Sequence, residues 1–397
     1  HFITNPPLPF FYSISYYLHN VKDLCISINK HIRSGDMMKK TVAILLCSIF
    51  LWSATTIKTH AQNSAKAAIT IEAQTGISLY EKNADEQLPM ASTTKIMTAL
   101  VALENADINQ TFTVSETACK VEGTQIGLLA GDQISLNDLL HMLMMKSAND
   151  AAQTIAENIS GSLEAFAELM NERAKQMGLT HTHFENPHGL PSDNHYTTAR
   201  ELALIAAEAL KSDTFAQIVS TKKKKLDYHG LVIENSNRLL SSYEYTTGVK
   251  TGFTKAAGRC LVTSAKKDGV ILINVTLDDG NDWQDHTEMF EEGFRRVSSY
   301  TLYEAGQYSV IVPVLNGTQP ARFTNPEPVY GVCIDGQKIE YIPTDCLPQS
   351  LYAPIQKETF DQQVYVELAY KNRLVGTMKL TLCESIAQKE DEQTFSE

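Results

Sequence analysis

A chain of 397 residues, 43% of them hydrophobic, has material for two or three domains with ordinary cores, which excludes a disordered or fibrous protein. Its formal charge is −12, and residues 1–61 hold six basic and two acidic residues, a net +4 that leaves −16 on the remainder. So acidic a body lacks the basic footprint that nucleic-acid binding needs, and no nucleic-acid partner is expected.

The segment Met37-Met-Lys-Lys-Thr-Val-Ala-Ile-Leu-Leu-Cys-Ser-Ile-Phe-Leu-Trp52 joins a short basic start to an apolar run of about a dozen residues, the form of a secretory signal. It is too short for a comfortable membrane span. A cut after Thr59-His-Ala61 fits, so residues 37–61 read as an export signal, and the mature protein is expected outside the cytoplasm, in the cell wall or on the outer face of the membrane. Residues 1–36 lie upstream of that signal in a chain that does not begin with methionine, and they read as sequence translated in error ahead of Met37 or Met38. Cys47 does not make this a lipoprotein signal, because Leu46 lacks the small side chain that such signals resemble one another in carrying.

Ala67-Ala-Ile-Thr-Ile-Glu-Ala73 and Ile77-Ser-Leu-Tyr80 flank Gln74-Thr-Gly76 and predict a hairpin that begins a sheet. Leu88-Pro-Met-Ala91 then leads to Ser92, and Lys95-Ile-Met-Thr-Ala-Leu-Val-Ala-Leu-Glu104 predicts a buried helix. Ser92 therefore stands at a helix N-terminus, where the backbone dipole favours a developing negative charge. Lys95, three residues on, shares its face. A serine hydroxyl is nearly unreactive at neutral pH until a neighbouring base takes its proton, and Lys95 is placed to be that base. Helical periods continue to about residue 210, through Leu136–Met145 and Leu163–Arg173, whose methionines read as core filler. Ser147-Ala-Asn149 falls within this helical region.

Arg200–Lys211 predicts another helix, and Lys222–Lys225 a solvated charge cluster on a β-hairpin. Strand patterns return at Gly248–Thr254, which carries Lys250-Thr-Gly252, and at Leu261–Ser264 and Val270–Leu277, so the sheet is built from both ends of the domain. Trp283–Tyr303 predicts a helix that closes it. Beyond, Tyr308–Val314, Val364–Ala369 and Leu374–Leu382 alternate or form short apolar runs and predict a second, all-β domain. The tail from Glu384 is polar and acidic and cannot bury an apolar face in a bilayer, so no C-terminal membrane anchor is expected.

Individually these motifs are cheap. Ser-x-x-Lys occurs four times, so context must choose: Ser27 precedes the signal, Ser220 opens the lysine run, and Ser264 lies in a strand, where positions three apart point to opposite faces. Ser192-Asp-Asn194 imitates Ser-x-Asn but follows Pro191 in a polar loop and reads as turn chemistry. His181, His183, His188 and His195 lie close together without the helical pair spacing of zinc hydrolases, and no metal or cofactor is expected. Five cysteines follow the signal, an odd number; a bridge between Cys333 and Cys346 is open to an exported protein.

In order, Ser92-Thr-Thr-Lys95, Met145-Lys-Ser-Ala-Asn-Asp-Ala151 and Gly248-Val-Lys-Thr-Gly-Phe-Thr254 resemble the D-alanyl-D-alanine carboxypeptidases, the low-molecular-mass penicillin-binding proteins. Phe184-Glu-Asn-Pro-His-Gly-Leu190, Tyr196-Thr-Thr-Ala-Arg200 and Ala257-Gly-Arg-Cys-Leu261 extend the likeness, which runs from about Ala67 to Phe294. The resemblance implies an α+β fold of the β-lactamase and transpeptidase type, an antiparallel sheet packed with helices plus a helical subdomain, followed by a small all-β domain. Boundaries are placed at 37–61 for the signal, 62–303 for the catalytic domain, 304–385 for the β-rich domain and 386–397 for the tail.

The resemblance further implies hydrolysis of the terminal D-Ala-D-Ala bond of peptidoglycan stem peptides through an acyl-enzyme on Ser92, with β-lactam antibiotics as covalent inhibitors. Lys95 acts as base, its pKa depressed by burial and by a second cation, Lys250. Ser147 relays a proton, and Asn149 bonds substrate and Lys95. Lys250 and Thr251 meet the substrate's free carboxylate, Gly252 keeps the strand edge open, and the backbone N–H groups of Ser92 and Phe253 hold the oxyanion. Two rivals remain at this level. A class A β-lactamase would need a deacylating glutamate, and no Glu-x-x-Leu-Asn follows Ser147. A wall-binding protein without turnover would not need an intact Ser92 and Lys95.

Overall fold

The computed structural model describes residues 63–371 and 373–389. The upstream extension, the export signal and the end of the acidic tail lie outside the described residues. The described residues open with β1 (Ala67–Glu72) and β2 (Ser78–Lys82), antiparallel as the hairpin pattern requires. A tight 3₁₀ turn over Ala91–Thr94 runs into α1 (Lys95–Asn105). A small hairpin follows, β3 (Thr111–Thr113) with β4 (Gln133–Ser135), then α2 (Leu136–Lys146), α3 (Asn149–Ser160) and α4 (Leu163–Gln176). Side chains cap these helices where the sequence offers them: Ser135 accepts from Asp138 N–H, Ser162 from Ala165 N–H and, ahead of α5 (Ala199–Ala209), Thr198 from Glu201 N–H.

After α6 (Asp213–Ser220), the lysine run lies on β5 (Lys223–Lys225), paired with β6 (Val232–Glu234). The sheet is then completed by β7 (Thr246–Thr254), β8 (Gly258–Lys267) and β9 (Val270–Leu277), in the spatial order β2-β1-β9-β8-β7 with every neighbour antiparallel. All six residues of β1 are buried because both faces of the sheet are covered. Ile69, Ile71, Val262 and Ile273 join the helical core on one face, while Leu261, Ala265 and Leu272 meet Phe290 of α7 (Asp282–Arg296) on the other. β7 is left at the edge, beside the turn that holds Ser92.

The predicted closing helix stops at Arg296. Val297–Tyr303 is a strand, β10, which pairs antiparallel with Val329–Ile334. The helix ends where two arginines occupy its last turn and β-branched and aromatic residues take over. A five-stranded sheet follows, built from Ser309–Val312, Ala321–Thr324, Arg373–Leu382, Val364–Tyr370 and Ile342–Cys346 around a core of Val312, Phe323, Val366 and Met378. Cys333 is a free thiol, so it forms no bridge with Cys346. Among the described residues, no helix is long and apolar enough to cross a membrane.

Candidate active site

Ser92 sits within the 3₁₀ turn, one residue past Ala91, whose φ of 48° reverses the chain. The two threonines between Ser92 and Lys95 hold that turn: Thr93 Oγ1 donates to Met90 O (2.6 Å) and Thr94 Oγ1 to Ala91 O (2.8 Å). Side chains three apart eclipse in a 3₁₀ turn, and Lys95 Nζ lies 3.0 Å from Ser92 Oγ. Lys95 is fully buried and also contacts Asn149 Oδ1 (2.7 Å) and His188 O (2.6 Å). Burial and the charge of Lys250 hold its pKa well below the ordinary lysine value, against a smaller opposing pull from Asp150.

The loop Phe184–Leu190 supplies the His188 carbonyl. Gly189, with φ of +84°, lies so close to the nucleophile turn that a Cβ there would run into the Ala91 carbonyl oxygen. His195 braces the same turn. Its Nδ1 accepts the Glu185 N–H (3.0 Å), so the proton is on Nε2 and is donated to Thr94 Oγ1 (2.8 Å). Burial pushes His188 down to about 3 and His195 down to about 4, so both are neutral at physiological pH. The sequence pattern did not assign this loop a part in the site, because a backbone carbonyl has no side-chain signature; the signal available was Gly189.

Ser147 is the left-handed residue (φ 65°) between α2 and α3, and Asn149 is the first residue of α3. Asn149 is pinned on three sides, its N–H to Thr124 O (2.7 Å), its Nδ2 to Glu122 O (2.6 Å) and its Oδ1 to Lys95. Asp150 holds the loop that passes over it, accepting from the N–H groups of Ile126, Gly127 and Leu128. Across the cleft, Gly252 on β7 approaches so closely that a Cβ would stand 3.1 Å from the N atoms of both Ser92 and Thr93. Glycine there lets the strand edge close on the Ser92 turn itself.

A cleft of about 580 Å³ is lined by Ser92, Ser147, Thr251, Gly252 and Phe253, with Phe253 65% exposed at its rim. Lys95 and Asn149 lie beneath Ser92, away from the cleft wall. Lys250 is also absent from the wall: it is fully buried, donates to Thr251 O (2.7 Å), and desolvation takes its pKa to about 7. It reaches the site through its charge on Lys95. The decoy Ser192-Asp-Asn194 is exposed, with Ser192 and Asn194 bonded to Glu185, and Ser264 is buried in β8 against Thr247.

A family model of the D-alanyl-D-alanine carboxypeptidases, peptidase S11, matches residues 54–281, more than half of the chain. The chain belongs to that family. Within this carboxypeptidase family it is 34% identical over 308 residues to the D-alanyl-D-alanine carboxypeptidase DacF of Bacillus subtilis, covering 74% of this chain and 79% of that protein. It is 33% identical over 217 residues to a D-alanyl-D-alanine endopeptidase of Pseudomonas aeruginosa, covering 52% and 69%. Among solved structures, penicillin binding protein 5 of Haemophilus influenzae superposes with a TM-score of 0.60 at 26% identity, covering 83% of this chain and 99% of that one. The α+β fold of the carboxypeptidases, with its separate all-β C-terminal domain, is therefore that of this chain.

Proposed function

We propose that this protein is a serine-type D-alanyl-D-alanine carboxypeptidase that removes the terminal D-alanine from peptidoglycan pentapeptides, with Ser92 as nucleophile and Lys95 as its base. The observation that carries this reading is the buried Lys95 amine 3.0 Å from Ser92 Oγ, with its proton affinity depressed. A neutral Nζ accepts the Ser92 proton as Oγ attacks the carbonyl carbon of the penultimate D-alanine. The oxyanion is held by the N–H groups of Ser92 and Phe253. Ser147 relays that proton, giving its own to the leaving nitrogen and taking the one on Lys95, so D-alanine departs and the Lys95 amine is neutral again as base for the water that cleaves the ester. Asn149 keeps the Lys95 amine aimed at Ser92.

A β-lactam acylates the same oxygen, but the amine it releases stays tethered, so the adduct persists. Substrate and inhibitor both place the work outside the cytoplasm, and we take residues 37–61 as the signal that carries the protein there. The test is D-alanine release from a pentapeptide, with a mass spectrum after penicillin treatment. Wild type should release D-alanine and carry one stable adduct on the peptide containing Ser92, and Ser92→Ala should do neither. Rapid penicillin hydrolysis beyond stoichiometry, or an adduct on another residue, would overturn the reading.

A further inference from the structure

We infer that Arg259, held by Asp282 and Trp283, reads the side chain of the residue that precedes the D-Ala-D-Ala pair, and selects a side chain ending in both an amine and a carboxylate over one ending in an amine alone. The inference rests on the carboxypeptidase reading above and extends it to the third residue of the pentapeptide, which the three motifs leave unassigned.

The cleft has two ends. At one, Lys146 and Ser147 follow Met145, whose carbonyl accepts the Ser236 N–H (3.0 Å). At the other stand Phe253, Arg259, Asp282 and Trp283. Gly252 closes on Ser92, Phe253 is the next residue toward the end of β7, and Arg259 lies opposite Phe253 in the register with β8. The scissile bond fixes which half of the peptide goes where. Its nitrogen must lie beside the proton donor, Ser147, so the departing D-alanine takes the first end. The acyl half, which stays on Ser92, runs the other way, past Phe253, and carries the third residue to Arg259.

This second end is a built surface. Arg259 Nε donates to Asp282 Oδ2 (3.0 Å) and Nη2 to Asp282 Oδ1, which also accepts the Trp283 N–H (2.9 Å). The guanidinium lies 5.9 Å from the centre of the Trp283 ring. The Asp282 side chain is 5% exposed and that of Arg259 44%, so the cation is the member of the pair that meets the cleft. Its bonds to Asp282 use Nε and Nη2 and leave Nη1 without a partner among the described residues. A guanidinium is matched by a carboxylate, which it meets through parallel N–H donors, and Asp282 beside it balances an ammonium on the same carbon. Phe253 and Trp283 supply aromatic surface for the methylenes that lead to that charged end. A side chain ending in an amine alone brings only a second cation to the exposed guanidinium.

The test uses three pentapeptides that differ only at the third residue: diaminopimelate, diaminopimelate with its side-chain carboxylate converted to an amide, and lysine. Each is assayed for D-alanine release by wild type, Arg259→Gln and Arg259→Lys, and the readout is the ratio of kcat/KM between peptides, which a loss of folded enzyme does not move. Wild type should prefer the first peptide to the other two by about threefold to thirtyfold. Arg259→Gln should bring all three within about twofold, and Arg259→Lys, which keeps a cation beside Asp282, should retain part of the preference. A wild type without the preference, a preference that survives in Arg259→Gln, or losses in both variants that are equal on all three peptides would overturn the inference while leaving the Ser92 chemistry intact. A wild type that releases D-alanine from none of the peptides and takes no penicillin adduct overturns the carboxypeptidase reading and the inference with it.

Discussion

Two buried polar clusters in this molecule use similar parts to different ends. Beneath Ser92, Lys95, Asn149, His188 and His195 are buried, and on α7 His286 is fully buried against β8 and β9. His286 places Nδ1 2.6 Å from Thr263 Oγ1 and Nε2 3.0 Å from Thr276 Oγ1, while Asn274 bonds its carbonyl and, in turn, Thr70. Desolvation drops its pKa to about 3, much as at His188. A strongly shifted pKa therefore does not by itself mark catalysis. The difference lies in the exit: the first cluster ends at Ser92, on the wall of a cleft, and the second closes on threonine hydroxyls and stays structural.

The largest expected break in this comparison is Lys95→Met, which removes the proposed base yet relieves a buried amine. D-alanine release and penicillin acylation should fall about 10²- to 10⁴-fold with the melting temperature unchanged or raised. Acid comes next and acts on both clusters. His188, His195 and His286 have folded pKa values of about 3, 4 and 3 against an unfolded value near 6.5, so the unfolded state binds more protons as pH falls through 6.5. Stability from these imidazoles is complete above pH 6.5 and is lost on acidification toward pH 4, at about 1.4 kcal/mol per pH unit for each. Denaturant melts across this range should show that slope, and His286→Gln should remove one proton's share of it.

Gly189→Ala should cost about 1–3 kcal/mol and depress activity as well, because the added methyl can be accommodated only by moving the Ala91 carbonyl and with it the nucleophile turn. His286→Gln should also cost about 1–3 kcal/mol, yet leave kcat within about threefold, since its network does not reach the cleft. A His286 variant with normal stability and lost turnover would erase the distinction between the clusters.

Most of the sheet was legible because short apolar, β-branched runs and a glycine turn leave a local record, as at Ala67–Lys82 and Val270–Leu277. The meeting of Ser92, Lys95 and Gly252 was legible because the three motifs keep fixed spacings that a helix start and a strand edge can bring together. The strand Val297–Tyr303 was not, since no glycine or proline separates it from the helix before it and only its pairing with Val329–Ile334 makes it a strand. Nor could spacing show that Lys250 is fully buried, with its charge acting on Lys95, because which side chains of β7 are covered depends on the turn packed against it. The polar loop around Ser192 was read from its composition, and its bonds to Glu185 agree.

The central claim is that Lys95 is neutral beside Ser92, and the direct measurement is an NMR titration of the lysine side chains, assigned with Lys95→Met and Lys250→Met. Two lysines should lose their protons far below the ordinary value of 10.5, Lys250 near pH 7, and the Lys95 titration should move to higher pH when Lys250 is replaced. A Lys95 amine that remains charged up to pH 10, or that ignores the loss of Lys250, would contradict the account.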